Sequence, residues 1–171
     1  LDPMATGVLP VFVGRATRGV EFFEHAEKTY ETVLRLGLQT DTQDITGTVL
    51  ERRDVNVTEE QLLETLDRFR GEILQVPPMY SALKVNGQKL CDLARKGKEV
   101  ERAPRPVTIH ELTLLSFDGR DAALRVRCSK GTYIRTLCED IGIALGSLGT
   151  MASLRRTQAG DYTAAQSVPL E

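Results

Sequence analysis

Two long strand-like runs, "TIHELTLLSFDG" and "AALRVRCSKG", stand back to back and meet at "DGRD". Consecutive strands joined by so short a turn pair with each other, so this stretch commits the chain to an antiparallel sheet. Further strands fit the same sheet. "KTYETVLRLG" puts Tyr30, Thr32, Leu34 and Leu36 on one side and Val33 and Arg35 on the other, ending at Gly37. "TVLERR" pairs with it across the polar loop "LQTDTQDITG", and "MASLRRTQAGDYT" reads as a last strand. "VLPVFVG" reads as a short buried strand closed by Gly14.

Helices are fewer. Residues 16–25 read as helical with Val20 and Phe23 on one face. "TEEQLLETLDRF" opens on a Thr-x-x-Gln capping box at Thr58 and carries Leu62, Leu63, Leu66 and Phe69. "GTYIRTLCEDIGIALG" shows one apolar face of Ile134, Leu137, Ile141 and Leu145, with Gly146 as its stop. Strands linked by hairpins and outnumbering helices predict an α+β class, with a mixed, largely antiparallel sheet flanked by helices. At 171 residues, one domain spanning 1–171 is expected.

The segment 76–106 departs from this pattern. Prolines break it at both ends, "VNG" marks a hairpin turn, and a short basic helix over 88–96 is capped by Gly97. It is expected to leave the core as an excursion. Its charge is also distinctive. The chain carries a net charge of −2, and acids dominate residues 21–72. Between residues 84 and 105 the sign reverses, through Lys84, Lys89, Arg95, Lys96, Lys98, Arg102 and Arg105. A basic segment on an acidic body is either a footprint for a polyanion or a solvated face.

Several chemistries lack their residues. His25 and His110 do not stand in a metal-ligand spacing, and there is no Gly-rich phosphate loop, no GxSxG and no HExxH. Three cysteines without a CxxC pair point to a reducing compartment and buried thiols. No apolar run is long enough to span a bilayer. No cofactor, no metal and no membrane are therefore expected, and the localisation is read as cytoplasmic. What remains is a carboxylate, tyrosines and an arginine in particular settings. Asp2 precedes Pro3, which pushes its backbone to an extended form. Tyr133 and Arg135 open a helix directly after a strand. An arginine there can hold a carboxylate ionised through a two-pronged pair. By pattern alone each tyrosine reads first as core packing, and Asp2 reads either as the start of a turn or as a reactive group. The residues alone stop at an α+β domain with an anionic-ligand site.

"LDPMATGVLP", "KTYETVLRLG", "PPMYSALKVNGQKL", "CSKGTYIRTLCEDIG" and "LRRTQAG", in this order, resemble the motifs of the bacterial tRNA pseudouridine-55 synthases, the TruB-type pseudouridine synthases. The resemblance covers essentially the whole chain. It implies the pseudouridine synthase catalytic fold, and isomerisation of the T-loop uridine of tRNA by cleavage of C1′–N1, turning of the base and formation of C5–C1′, without cofactor or metal. By the same resemblance Asp2 falls on the catalytic aspartate and Arg135 on the arginine that pairs with it. Tyr30 falls on a tyrosine that stacks on the uracil, Tyr133 on a second active-site tyrosine, and Leu154 on an apolar pocket residue. The segment 76–106 matches a tRNA-contacting insertion, with Lys84, Lys89, Arg95 and Lys96 as candidate phosphate contacts. The implied partner is the T-arm stem-loop of tRNA, met by a monomer. A glycine, a histidine and a first strand precede the opening motif in the family, so the chain reads as N-terminally truncated, and no C-terminal RNA-binding domain is seen. A non-catalytic RNA-binding or RNA-chaperone module of the same fold is the alternative, and an interaction domain with a degenerate site a third reading.

Overall fold

A computed structural model of the chain describes residues 1–170. Its elements in chain order are β1 (Thr6–Gly7), α1 (Val20–Glu24), β2 (Lys28–Leu36), β3 (Leu38–Thr40), β4 (Val49–Arg52), α2 (Glu59–Asp67) and β5 (Gly71–Gln75). There follow β6 (Lys84–Val85), β7 (Gln88–Lys89), α3 (Leu90–Arg95), β8 (Arg105–Phe117), β9 (Asp121–Cys128), α4 (Ile134–Ala144), β10 (Gly149–Ala159) and β11 (Tyr162–Thr163). Seven strands form one sheet in the order β1-β10-β2-β9-β8-β5, with β11 also on β10. All its pairs are antiparallel except β1 with β10. This is the mixed, largely antiparallel α+β architecture that the strand pattern predicts.

The two faces of the sheet follow from strand alternation. On β2, Tyr30, Thr32, Leu34 and Leu36 point into the core, where Leu34 and Leu36 are wholly buried. They meet Leu62 and Leu66 of α2 and Leu137, Cys138 and Ile141 of α4, together with Leu124, Met151 and Leu154. Each such side chain contributes roughly 1.5–3 kcal/mol by leaving water. α4 sits close against the start of β10, because Gly142 has no Cβ: one there would lie 2.3 Å from the amide nitrogen of Gly149. The opposite face carries a row of ion pairs, Arg35 with Asp121 and Arg125 with Glu31 across strands, and Arg127 with Glu27 just before β2. α2 begins at the expected capping box, with Thr58 Oγ1 accepting from the Gln61 amide and Gln61 Oε1 accepting from the Thr58 amide.

Five local readings are corrected. "TVLERR" does not join β2: β4 pairs with β3, which lies inside the run read as a polar loop, and the two form a separate two-stranded sheet. The run "VLPVFVG" is not a buried strand: only Thr6–Gly7 pairs with β10, and Leu9, Val11 and Val13 are exposed. Past the bond from the Val8 amide to the Arg156 carbonyl the ladder ends, and Pro10 brings no donor to continue it. Residues 16–25 split into a 3-10 turn, Gly14–Gly19, and the short α1. The basic helix starts at Leu90, because Gln88 and Lys89 are held in a hairpin against Lys84 and Val85. That hairpin turns on Asn86 and Gly87, both with left-handed backbone, as its Asn-Gly sequence favours. The last strand is interrupted at Gly160 into the hairpin β10–β11.

An unanticipated edge strand, β5, frames the excursion. Gln75 pairs with Arg105, so the segment between them leaves and returns on one rung of the sheet. Leu90 and Leu93 of α3 are buried and pin it down.

Candidate active site

At the Lys28 end of β2, the sheet, the N-terminal turn and the start of α4 converge on a recess of about 130 Å³. Its walls include Asp2, Tyr30, Tyr133, Arg135 and Leu154, with Leu1, Thr132 and Ile134 completing them. The five residues that the sequence singles out for the reaction centre are thus brought together from four separate stretches of chain.

The carboxylate and the arginine are paired: Asp2 Oδ2 lies 2.9 Å from Arg135 Nε. The arginine side chain is 7% exposed and the aspartate 26%. The turn that carries Asp2 is closed by a bond from the Ala5 amide to the Asp2 carbonyl. The expected two-pronged contact does not form. Arg135 instead donates Nη1–H to the Thr42 carbonyl at 3.2 Å and Nη2–H to the Tyr80 carbonyl at 2.7 Å. Those carbonyls come from the loop after β3 and from the excursion, and they compete for the fork that would have gripped both carboxylate oxygens. No hydrogen bond reaches Asp2 Oδ1 among the described residues.

Tyr30 is 8% exposed, and burial pushes its phenol above the ordinary tyrosine value, so it is protonated at neutral pH. Its neighbour across the ladder is Arg156, a buried arginine that donates to the Val8 carbonyl at 2.8 Å. Leu154, two residues before Arg156 on β10, is 6% exposed and supplies an apolar wall. Tyr133 is the N-cap residue of α4 and has an extended backbone. Its amide donates to Gln75 Oε1 at 3.0 Å, and its carbonyl accepts from Gln75 Nε2 at 3.1 Å.

The basic residues lie elsewhere. Lys84, Lys89, Arg95 and Lys96 are exposed on the excursion, outside the recess. Lys84 and Lys89 face each other across the β6–β7 hairpin, and with Lys96 they line a separate hollow of about 290 Å³. Arg95 is already paired with Asp92 at 3.2 Å. The excursion touches the recess through backbone, at the Tyr80 carbonyl. No group of three or more His, Cys, Asp or Glu side chains suited to a metal ion occurs among the described residues. No described helix is long and apolar enough to cross a membrane.

Sequence reasoning missed Gln75, Arg156, Thr42 and Tyr80. Thr42 and Tyr80 act through backbone carbonyls, which no side-chain pattern reports. Arg156 stands within "LRRTQAG", where period-2 alternation puts it on the side of Leu154 and Arg155 on the other, a signal that reading the run simply as a strand leaves unused. For Gln75 a signal exists: a polar residue directly before "VPP" at the foot of an excursion.

A family model described as "TruB family pseudouridylate synthase (N terminal domain)" matches residues 1–134, and one described as "tRNA pseudouridylate synthase B C-terminal domain" matches residues 135–171. The boundary falls inside α4, and β10, from the second match, pairs with β2 from the first. The chain is 57% identical over its full length to a protein named tRNA pseudouridine synthase B from Stutzerimonas stutzeri (strain A1501), covering 56% of that protein. It is 54% identical to the protein of the same name from Azoarcus sp. (strain BH72), of which it covers 57%. The chain therefore spans little more than half the length of these relatives. Among solved structures, a chain in the "Crystal Structure of a Cbf5-Nop10-Gar1 Complex" superposes with a TM-score of 0.72 at 32% identity, over 95% of this chain and 39% of that one. A chain in the "Structure of H/ACA RNP bound to a substrate RNA containing 2'-deoxyuridine" superposes with a TM-score of 0.67 at 29% identity, over 95% of this chain and 38% of that one.

Proposed function

The chain belongs to the TruB family of pseudouridylate synthases, and from that premise we propose that it isomerises the T-loop uridine of tRNA to pseudouridine. The observation that carries this reading is the Asp2–Arg135 pair, 2.9 Å apart, in a recess walled by Tyr30, Tyr133 and Leu154. In the reaction the N1–C1′ bond breaks, the uracil turns and a C5–C1′ bond forms. The proton on C5 leaves and N1 ends protonated, so no atom is gained or lost and no redox partner is required. As N1–C1′ breaks, C1′ becomes electron-deficient, and the Asp2 carboxylate meets that centre. Arg135 keeps the carboxylate in place by binding one oxygen, and Oδ1 stays available. Tyr30 offers a ring face to the base and a protonated phenol, while Leu154 keeps water from one side. The base must leave its stack to reach the recess, which accounts for aromatic and apolar walls around a single charge pair.

The excursion is proposed to bind the T-arm. Lys84 and Lys89 are like charges placed directly opposite, an arrangement that costs stability unless an anion lies near. RNA is then recognised by shape and backbone together with the unstacked loop base. Replacing Lys84, Lys89 and Lys96 with alanine is expected to flatten the salt dependence of binding, by roughly 0.7–0.9 in log–log slope for each phosphate that no longer meets a lysine. An unchanged slope returns the segment to a solvated face.

The decisive experiment uses T-arm stem-loop RNA, the complete reading frame that carries this chain, and chemical mapping of pseudouridine. The wild type is expected to convert the T-loop uridine. Asp2→Asn keeps the size and removes the anion, so it should lose about a hundredfold or more in turnover with RNA affinity unchanged. Turnover within about tenfold of wild type, ~1.4 kcal/mol, would show that Asp2 is not the essential group.

A further inference from the structure

The reactive recess depends on a side chain that does not line it. Gln75 is the last residue of β5 and is 2% exposed. Its carboxamide makes two bonds to one residue: Oε1 accepts from the Tyr133 amide at 3.0 Å and Nε2 donates to the Tyr133 carbonyl at 3.1 Å. The same carbonyl accepts the first bond of α4, from the Leu137 amide at 3.0 Å. A helix normally begins on a residue whose own side chain caps it, such as serine, threonine or aspartate. Tyr133 has no such group and makes no side-chain cap bond. Gln75 holds it instead, from a different element.

Tyr133 contributes a wall of the recess, and Arg135 follows it in the first turn of α4. Gln75 also occupies the rung on which the excursion leaves and returns, opposite Arg105. The excursion in turn supplies the Tyr80 carbonyl that takes Arg135 Nη2–H. Gln75 therefore joins the root of the excursion to the start of α4 at the point where both converge on the guanidinium. A neutral amide suits this place, since it donates and accepts at once. An ionised carboxylate would turn an acceptor toward the Tyr133 carbonyl, whereas a protonated one would restore a donor beside an acceptor.

We infer that Gln75 is a positioning residue of the reaction: it fixes Tyr133 and, through the first turn of α4, sets Arg135 against Asp2. The inference rests on the isomerase reading of the recess. Gln75→Glu and Gln75→Met, in the complete reading frame, test it on T-arm RNA. At about pH 7.5 Gln75→Glu should lose about tenfold or more in kcat, with KM changed by no more than about twofold. Relative to wild type at each pH, its kcat should recover as the pH falls toward about 5, while Gln75→Met, which has no proton to gain, stays low throughout. Amide hydrogen exchange at Tyr133 reads the same contact without activity, and should be faster in Gln75→Met than in wild type. Wild-type kcat in Gln75→Glu at neutral pH, the same pH profile in both variants, or unchanged Tyr133 exchange would overturn the inference. An inactive wild type whose Tyr133 exchange still responds to Gln75→Met would instead overturn the isomerase reading.

Discussion

Arg35 and Arg135 each face an aspartate, and they divide their donors in opposite ways. Arg35, on the solvent face of the sheet, gives Nε–H and Nη2–H to the two oxygens of Asp121 at 3.0 and 3.1 Å. Both side chains are close to a third exposed, at 32% and 29%. Arg135, at 7% exposure, brings only Nε to Asp2 and gives its outer nitrogens to the Thr42 and Tyr80 carbonyls. By geometry alone the surface pair is the better fork. Water competes for it on every side, and pairs of this kind contribute little. In the recess the two carbonyls belong to backbone held in place, so the guanidinium cannot swing, and one carboxylate oxygen is left unbonded. The Arg35–Asp121 pair uses both oxygens, whereas a site that must meet a substrate keeps one in reserve.

The comparison is tested hardest at Arg135. Arg135→Ala leaves Asp2 half-buried without its cation and the Thr42 and Tyr80 carbonyls without their donors. Breaking a buried pair from one side costs about 3–5 kcal/mol, which denaturant unfolding would read directly. Turnover should fall with it. Arg135→Lys should recover only part of both, because an ammonium cannot reach three acceptors set out for a planar fork. A loss below about 1 kcal/mol in Arg135→Ala would place this pair in the surface class and break the distinction.

Asp140 shows what burial does to a carboxylate with no arginine. It lies on α4 beside Glu139, and no cation pairs with it among the described residues. Burial, with the Glu139 charge adding to it, pushes its pKa up to about 6. Its unfolded value is near 3.9, so the folded state binds more protons across that interval. The stabilising contribution is complete below about pH 4 and is lost as the pH rises through about 6. Asp140→Asn should therefore stabilise the fold by about 1 kcal/mol near neutral pH, after allowance for the partial exposure of the side chain. The gain should vanish below about pH 4. A gain that does not change with pH would assign the effect to packing.

What the sequence reveals here is mostly what neighbouring residues decide among themselves. The capping box at Thr58, the Asn-Gly turn at Asn86 and the alternation of β2 each rest on a few adjacent residues, and each forms as read. β5 is hidden because it is short and at an edge, with Leu74 at 66% exposure and its one fully buried side chain a glutamine. "VLPVFVG" misleads in the other direction: its apolar residues suggest burial, but no neighbouring strand is there to receive their backbone. At the recess, side-chain chemistry alone reached an Asp-Pro step and an arginine at a helix start. Tyr30 reads as core by pattern and is core by exposure, as is Leu154; only the ordered motifs set them beside Asp2. The carbonyls that split the Arg135 fork are set by tertiary path and leave no trace in residue type.

The smallest effect belongs to Arg35. Arg35→Ala removes a two-pronged pair of good geometry, and on that ground alone a large loss would be expected. The side chains are nearly a third exposed, however, and their charges gain little over their hydrated state. The expected loss is about 0.2–1 kcal/mol, measured by urea unfolding at low ionic strength. Turnover should be unchanged, since Arg35 lies on the face of β2 opposite Tyr30. Raising the salt separates charge from packing: at about 1 M the screening length falls to about 3 Å, and an electrostatic loss shrinks with it. A loss that persists in high salt would come from the aliphatic stem of Arg35 lying along the sheet. A loss above about 2 kcal/mol at any salt would mean that geometry rather than burial decides the strength of the two pairs, and the contrast between Arg35 and Arg135 would fail.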